Sequence, residues 1–221
     1  MLQLYDQLLQ FPLFQGMSHD DLELVAGHTR FGFVKIQEGR RVVADGDACT
    51  HLQFLIGGAV HVATASADHA YSVEEHIQAP YLLQPEAIFG YQQRYTHTFT
   101  AESAVSLITI DKAEVLRLSE DFLVFRLNLL GLFATQAQKL AAQPWRRYPE
   151  TLELRIVRFF VQHSLYPAGP KTFRILMNRL ADELNDSRLD VSRVLNKMQA
   201  AGLLTLHRGR IEIPSLERLL M

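Results

Sequence analysis

The sequence is poor in the residues that build covalently cross-linked or metal-held scaffolds. It has one cysteine, Cys49, among 221 residues. One chain therefore forms no internal disulfide and no four-cysteine zinc or iron–sulfur site, and such usage suits a reducing cytoplasm. Long apolar runs are missing too: the most apolar helical stretch, Phe122 to Ala134, is interrupted by Arg126 and Asn128 and is too short to span a bilayer. At the N-terminus there is neither a basic segment ahead of the apolar residues nor a small-residue cleavage site, so no signal peptide is expected. The chain carries no P-loop, no G-x-S-x-G, no H-E-x-x-H and no cluster of metal ligands, which argues against an enzyme.

Net charge is also small, −2, but its distribution is uneven. Residues 1–145 carry 9 Lys/Arg against 16 Asp/Glu, and residues 146–221 carry 13 against 8, giving −7 and +5. A basic third on an acidic body predicts that the tail meets a polyanion while the body does something else. With 48% hydrophobic residues the chain can bury a good core, and its length fits two small domains.

Ser18 followed by HDDLELVAGH reads as an N-capped helix packed over Phe11, Leu13 and Phe14. From Arg30 to Ile110 short β-rich runs (FGFVKI, LQFLI, AVHVATA, YSVEEHI, AVSLITI) alternate with turn signals such as Glu38-Gly39, Asp45-Gly46 and Gly57-Gly58. This texture predicts an antiparallel sandwich or roll. After Asp111 the period becomes helical. KAEVLRL forms a short helix, and DFLVFRLNLLGLFATQAQKLAAQ a long one stopped by Pro144. On the long helix Phe122, Phe125, Leu129, Phe133, Gln136 and Leu140 recur at three- and four-residue steps, a seam that two copies would share. Leu123, Leu127 and Leu130 supply a second apolar face for the chain's own roll or for the partner. PWRRYP (144–149) reads as a hinge.

Residues 176–213 hold the most informative pattern. Leu180, Ala181 and Leu184 mark a short helix, Asn185-Asp186 a tight turn, and Ser187 the cap of a second helix lined inside by Val191, Val194, Leu195 and Met198. Arg188, Leu189, Ser192 and Arg193 stand on its outer face near the N-terminus, where a recognition helix meets base edges. LLTLHRGRIEI then turns back at Arg208-Gly209, so that His207, Arg208 and Arg210 can touch phosphates as a wing. Asn178, Arg179, Ser187 and Lys197 complete the expected DNA-facing set.

Ser187-Arg188, Val191-Ser-Arg-Val-Leu-Asn-Lys-Met198 and Gly202-Leu-Leu204 resemble the S-R-x-x-V-x-R-x-L pattern and apolar close of the cyclic-AMP receptor protein and fumarate–nitrate regulator (Crp/Fnr) family. FPLFQGMSHDDLELVAGH, VVADGDACTHLQFLIGGAVHV and IFGYQQRYTHTFTAESAVSLITI resemble that family's first helix, glycine-turn strands and phosphate-binding cassette. The resemblance implies an α+β protein: a β-roll sensor domain (1–118), a dimerisation helix (119–143), the hinge, and a winged helix-turn-helix (150–221). It further implies a cytoplasmic homodimer acting on double-stranded DNA with RNA polymerase, under a small effector.

The cassette departs from the pattern. Phe89-Gly90 are present, but Tyr91 stands where the family has its ribose-binding Glu, and Tyr95 where it has the phosphate-binding Arg, with Thr96 following. Arg94 is one residue early. Two lost charge-assisted bonds, each worth about 1.5–3 kcal/mol, argue against cyclic AMP. A different effector, or none, is expected near Phe89, Gly90, Tyr91, Arg94, Tyr95, Thr96 and His97. A haem sensor would need His or Cys axial ligands, for which His28, His51, His61, His76, His97 and Cys49 are candidates, although scattered histidines are more often structural. The competing class of function is a sensor module that acts through a protein partner.

Overall fold

A computed structural model describes residues 4–142 and 147–220; of the expected hinge, positions 144–146 lie outside the described residues. The chain divides into two compact units, one drawn from residues 1–60, 77–96 and 100–146, the other from 61–76, 97–99 and 147–221.

The first unit begins with α1 (Leu4–Leu8), the 3-10 turn Pro12–Phe14 and α2 (His19–His28). Ser18 caps α2 as expected, its hydroxyl accepting from Asp21 N at 3.1 Å. The strands along the chain are β1 (Phe31–Ile36), β2 (Arg41–Val43), β3 (His51–Gly57), β4 (Ala59–Ala65), β5 (Ser72–Gln78), β6 (Tyr81–Leu83), β7 (Thr98–Ala101) and β8 (Val105–Asp111). Strands β4, β5 and β7 are each divided between the units. In the first unit an antiparallel sheet runs β1-β8-β3-β6, with Phe31 opposite Ile110 and Ile36 opposite Val105. Gly58 makes the turn into β4: its φ is +87°, and a Cβ there would lie 2.4 Å from Ala104 O, so only glycine fits.

Helices α3 (Lys112–Asp121) and α4 (Leu123–Ala142) follow, separated by extended Phe122, so the long helix starts two residues later than its sequence pattern suggests. Helix α4 corrects the expected seam. Phe125 and Leu129 are 0% and 7% exposed and face the chain's own body. Phe125 packs 5.4 Å from Phe14, which in turn meets Phe54, and Asn128 Nδ2 donates to Leu13 O and Gln15 O at 3.1 and 2.8 Å. These two side chains are therefore not available to a partner. Phe122, Phe133 and Gln136 are half-buried and Leu140 is exposed. Leu123, Leu127 and Leu130 are each more than half exposed, and Ala134, Ala137 and Ala141 continue that row in exposed positions.

The second unit contains α5 (Leu152–Gln162), β9 (Lys171–Arg174), α6 (Met177–Leu184), α7 (Arg188–Ala200), β10 (Thr205–His207) and β11 (Arg210–Ile213). Helix α5 is amphipathic, burying Ile156, Val157, Phe159 and Phe160 against Phe173, Leu180, Leu195 and Ile211. β9 pairs with β11 on one edge and with β5 on the other, Ser72 opposite Arg174 and Glu75 opposite Lys171. That pairing is why residues 61–76 group with the C-terminal part and not with the rest of the strand-rich region. It is held by a buried ion pair, Lys171 Nζ to Glu75 Oε1 at 3.1 Å with both side chains at most 2% exposed. Leu165 N and Tyr166 N donate to the same carboxylate, and Lys171 donates to Ala168 O at 2.7 Å. Each charge thus has the additional bonds that a buried pair requires.

Candidate nucleic-acid interface

The two helices of the reading module are set by local chemistry. Helix α6 ends at Asn185, whose φ of +49° is the left-handed cap conformation that Asn tolerates. Ser187 then caps α7: its hydroxyl accepts from Asp190 N at 3.1 Å and donates to Asp190 Oδ2 at 2.7 Å. The turn between the helices is clamped from α5, where Arg155 Nη1 donates to Leu184 O at 2.9 Å and Nη2 to Asp186 Oδ2 at 2.5 Å. Arg155 and Asp186 are positioning residues that the sequence reading missed, since nothing local marks a pair 31 positions apart.

On α7, Val191, Leu195 and Met198 are buried and Val194 is partly so, as the helical period requires. Arg188 and Leu189 are exposed, Leu189 to 69%, and Ser192 is half-buried. Arg193 is exposed but bonded at 2.8 Å to Asp190 of its own helix, and Lys197 lies 3.6 Å from Glu153. The module closes with the β10–β11 hairpin, turning at Arg208-Gly209 with Gly209 at φ +71°. His207 and Arg210 both lie near Glu212, at 3.2 and 3.1 Å. Arg188 and Arg208 make no ion pair among the described residues. A cleft of about 420 Å³ runs between them, lined by Met177, Asn178, Arg188, Leu206, His207 and Arg208 among others. Arg179 does not line this cleft; it is bonded at 2.9 Å to Asp68 and 2.7 Å to Glu183.

The cassette is arranged differently. Tyr91 projects into solvent, 104% exposed. Arg94 donates to Gly46 O at 2.6 Å. Tyr95 is buried; its hydroxyl accepts from Gln53 Nε2 at 3.0 Å and reaches His51 O at 3.4 Å. Burial, with a side-chain bond to Cys49 second, pushes that hydroxyl's pKa well above its ordinary value. Thr96 is tied to buried Gln84 by two bonds of 3.0 and 2.8 Å, and Phe89 lies under Lys112 at 5.2 Å. Gly90 has no room for a side chain, since a Cβ would meet Glu86 O at 2.9 Å. A cyclic phosphate needs a cation and open N–H groups; here a neutral phenol fills the arginine's place, so these residues do not fit that ligand. His97 belongs to the second unit, its Nδ1 2.8 Å from Thr64 Oγ1. Among the described residues no three His, Cys, Asp or Glu side chains converge as a metal site would require, and no helix is long and apolar enough to cross a membrane.

No curated protein matches the sequence. The chain superposes on the catabolite activator protein of Thermus thermophilus, with a TM-score of 0.52 at 19% identity over 95% of this chain and 97% of that one. It superposes equally on a proposed transcriptional regulator of the Crp/Fnr family from Eubacterium rectale, with 0.51 at 20% identity over 96% and 97%. The sensor domain of the transcriptional regulator DNR from Pseudomonas aeruginosa covers 66% of the chain and 93% of its own length, with 0.51 at 20% identity. Residues 154–221 match the Crp-like helix-turn-helix domain, the segment that holds the Asn185 turn, the Ser187 cap, α7 and the β10–β11 hairpin. Residues 154–221 are thus similar to the Crp-like helix-turn-helix domain, and the chain that carries them has the fold of the Crp/Fnr regulators.

Proposed function

We propose that the chain works as a homodimer reading an inverted-repeat DNA site, with α7 in the major groove and the β10–β11 turn on the backbone. Its control would come from a small effector other than a cyclic nucleotide. The observation that carries this reading is the open N-terminal face of α7, where Arg188 has no ion-pair partner among the described residues and stands beside exposed Leu189. A free guanidinium there can bond guanine O6 and N7 together, and leucine can touch a thymine methyl but cannot accept from a cytosine amino group. Arg208 across the cleft suits a phosphate.

Dimerisation is supported by the exposed row on α4. Leu123, Leu127, Leu130, Ala134, Ala137 and Ala141 alternate steps of four and three, the spacing of a seam between two helices, and an unpartnered stripe of this length is unusual on a monomer. Light scattering at micromolar concentration should give about twice the 25.2 kDa of one chain, and Leu127→Asp should return the monomer.

Two reading helices related by a twofold axis should select half-sites about 34 Å apart, one turn of duplex. Selection from a random DNA library, repeated with Arg188→Ala, tests the assignment. The variant should lose preference at one base pair in each half-site. Should it select the wild-type motif with undiminished preference, α7 is not the reader.

A further inference from the structure

Arg179 is at the third position of α6, the first helix of the helix-turn-helix, which in such modules crosses the DNA backbone, yet it is held by the loop between β4 and β5. Its Nη2 lies 2.9 Å from Asp68 Oδ2 and 2.7 Å from Glu183 Oε1. The guanidinium carbon sits 5.9 Å from the centre of the Tyr71 ring, and Nε is buried with no partner among the described residues. All of these groups belong to the second unit.

The loop is built to present that carboxylate. Ser66 Oγ and Ala70 N donate to Asp68 Oδ1 at 2.7 and 3.1 Å, which leaves Oδ2 for Arg179. The same two bonds, the serine hydroxyl first, hold the Asp68 carboxyl below the usual carboxylate range, so it is ionised at neutral pH. His69 takes the left-handed conformation, φ +54°, and its N–H closes the tip on Ser66 O at 2.8 Å. Tyr71 is fixed from the other side. His163 Nδ1 lies 2.8 Å from Phe159 O and its Nε2 3.0 Å from the Tyr71 hydroxyl.

We propose that Asp68 competes with DNA phosphate for Arg179, so that the β4–β5 loop lowers the affinity of the reading module and sets part of its salt dependence. The proposal rests on the DNA-reading assignment made above. Nη2 already serves two carboxylates, one for each of its N–H groups, so a phosphate oxygen that takes either N–H displaces a carboxylate. Glu183 is carried on α6 itself and moves with Arg179, whereas Asp68 comes from a loop more than a hundred residues away in sequence. The loop carboxylate is therefore the one to be displaced. Any event that shifts the loop changes the positive charge α6 offers to DNA without touching α7, and this gives the body of the protein a route to DNA affinity.

The test is a salt titration of DNA binding by the full chain on its selected site. Four proteins are compared: wild type, Asp68→Asn, Arg179→Ala and the double variant. Asn keeps the acceptor for Ser66 and Ala70 and removes the charge; Asp68→Ala, with its melting temperature checked, repeats the measurement without that acceptor. Asp68→Asn should bind about two- to fivefold tighter, the gain that releasing one partly exposed ion pair allows. Its plot of log affinity against log salt should steepen by up to about 0.9, one phosphate's worth. Both changes should vanish in the Arg179→Ala background. Unchanged affinity and slope in Asp68→Asn overturn the proposal, as does an equal gain in the Arg179→Ala background, which would mark a general effect of removing negative charge. A wild-type chain that shows no salt-dependent binding to any DNA overturns the DNA-reading assignment itself and this proposal with it.

Discussion

The cassette of the first unit and the α7 face of the second both place an arginine near aromatic or apolar side chains, but they treat polar groups in opposite ways. In the cassette, Arg94, Tyr95 and Thr96 each find an intramolecular partner, and Tyr95 is buried. On α7, Arg188 is left to water. A buried group that satisfies itself contributes to folding; an exposed group left unpaired stays free to bind. The two regions should therefore respond to mutation in different observables.

The largest effect is expected at Tyr95. Tyr95→Ala removes a buried ring and leaves Gln53 Nε2 without its acceptor, so the loss of unfolding free energy should be about 3–5 kcal/mol, as for other buried aromatic truncations. A loss below about 1 kcal/mol in denaturant melts would mean that the cassette opens, and the contrast with α7 would collapse. Next, Arg188→Ala should cost about 1–3 kcal/mol of DNA affinity while changing stability by no more than about 0.5 kcal/mol. Ser187→Ala lies between the two kinds of effect. Loss of the α7 cap should destabilise the fold by about 1 kcal/mol, read as a lower melting temperature.

Titration sharpens the same contrast. Because burial raises the Tyr95 pKa in the folded state, its neutral form is favoured by folding. That stability is complete below the unfolded value near about pH 10 and is lost as pH rises above it. The alkaline fall in stability should shrink in Tyr95→Phe. The smallest effect is a null one: cyclic AMP should leave the melting temperature unchanged, since a ligand that binds the native state must raise it by mass action.

The legible parts of the molecule are those whose causes lie close together in sequence. The Ser187 cap, the Asn185 turn, the inner face of α7 and the Arg208-Gly209 hairpin all depend on neighbours within about four residues, and each stands where the pattern placed it. Helix α4 shows the limit. Periodicity finds both apolar rows, but which row meets the body depends on Leu13, Phe14 and Gln15, more than a hundred positions away. Strand β9 has the same origin: KTFR is too short to carry an alternating pattern, and its partner β5 lies about a hundred residues earlier. Arg179 reads as an exposed cation for want of any local sign of Asp68.

That pairing of β9 with β5 also bears on how the reading module can be handled apart from the rest of the chain. A fragment beginning near residue 147 would retain β11 on one side of β9 and lose Ser72–Glu75 from the other. It would then expose a free row of backbone donors and acceptors beside the core residue Phe173, the kind of open edge that templates strand exchange and aggregation. Lys171 would at the same time lose its buried counter-ion. Residues 61–76 thus act as an edge guard supplied in advance: on the ribosome they are made before β9, and the strand they cover emerges with its protection already synthesised.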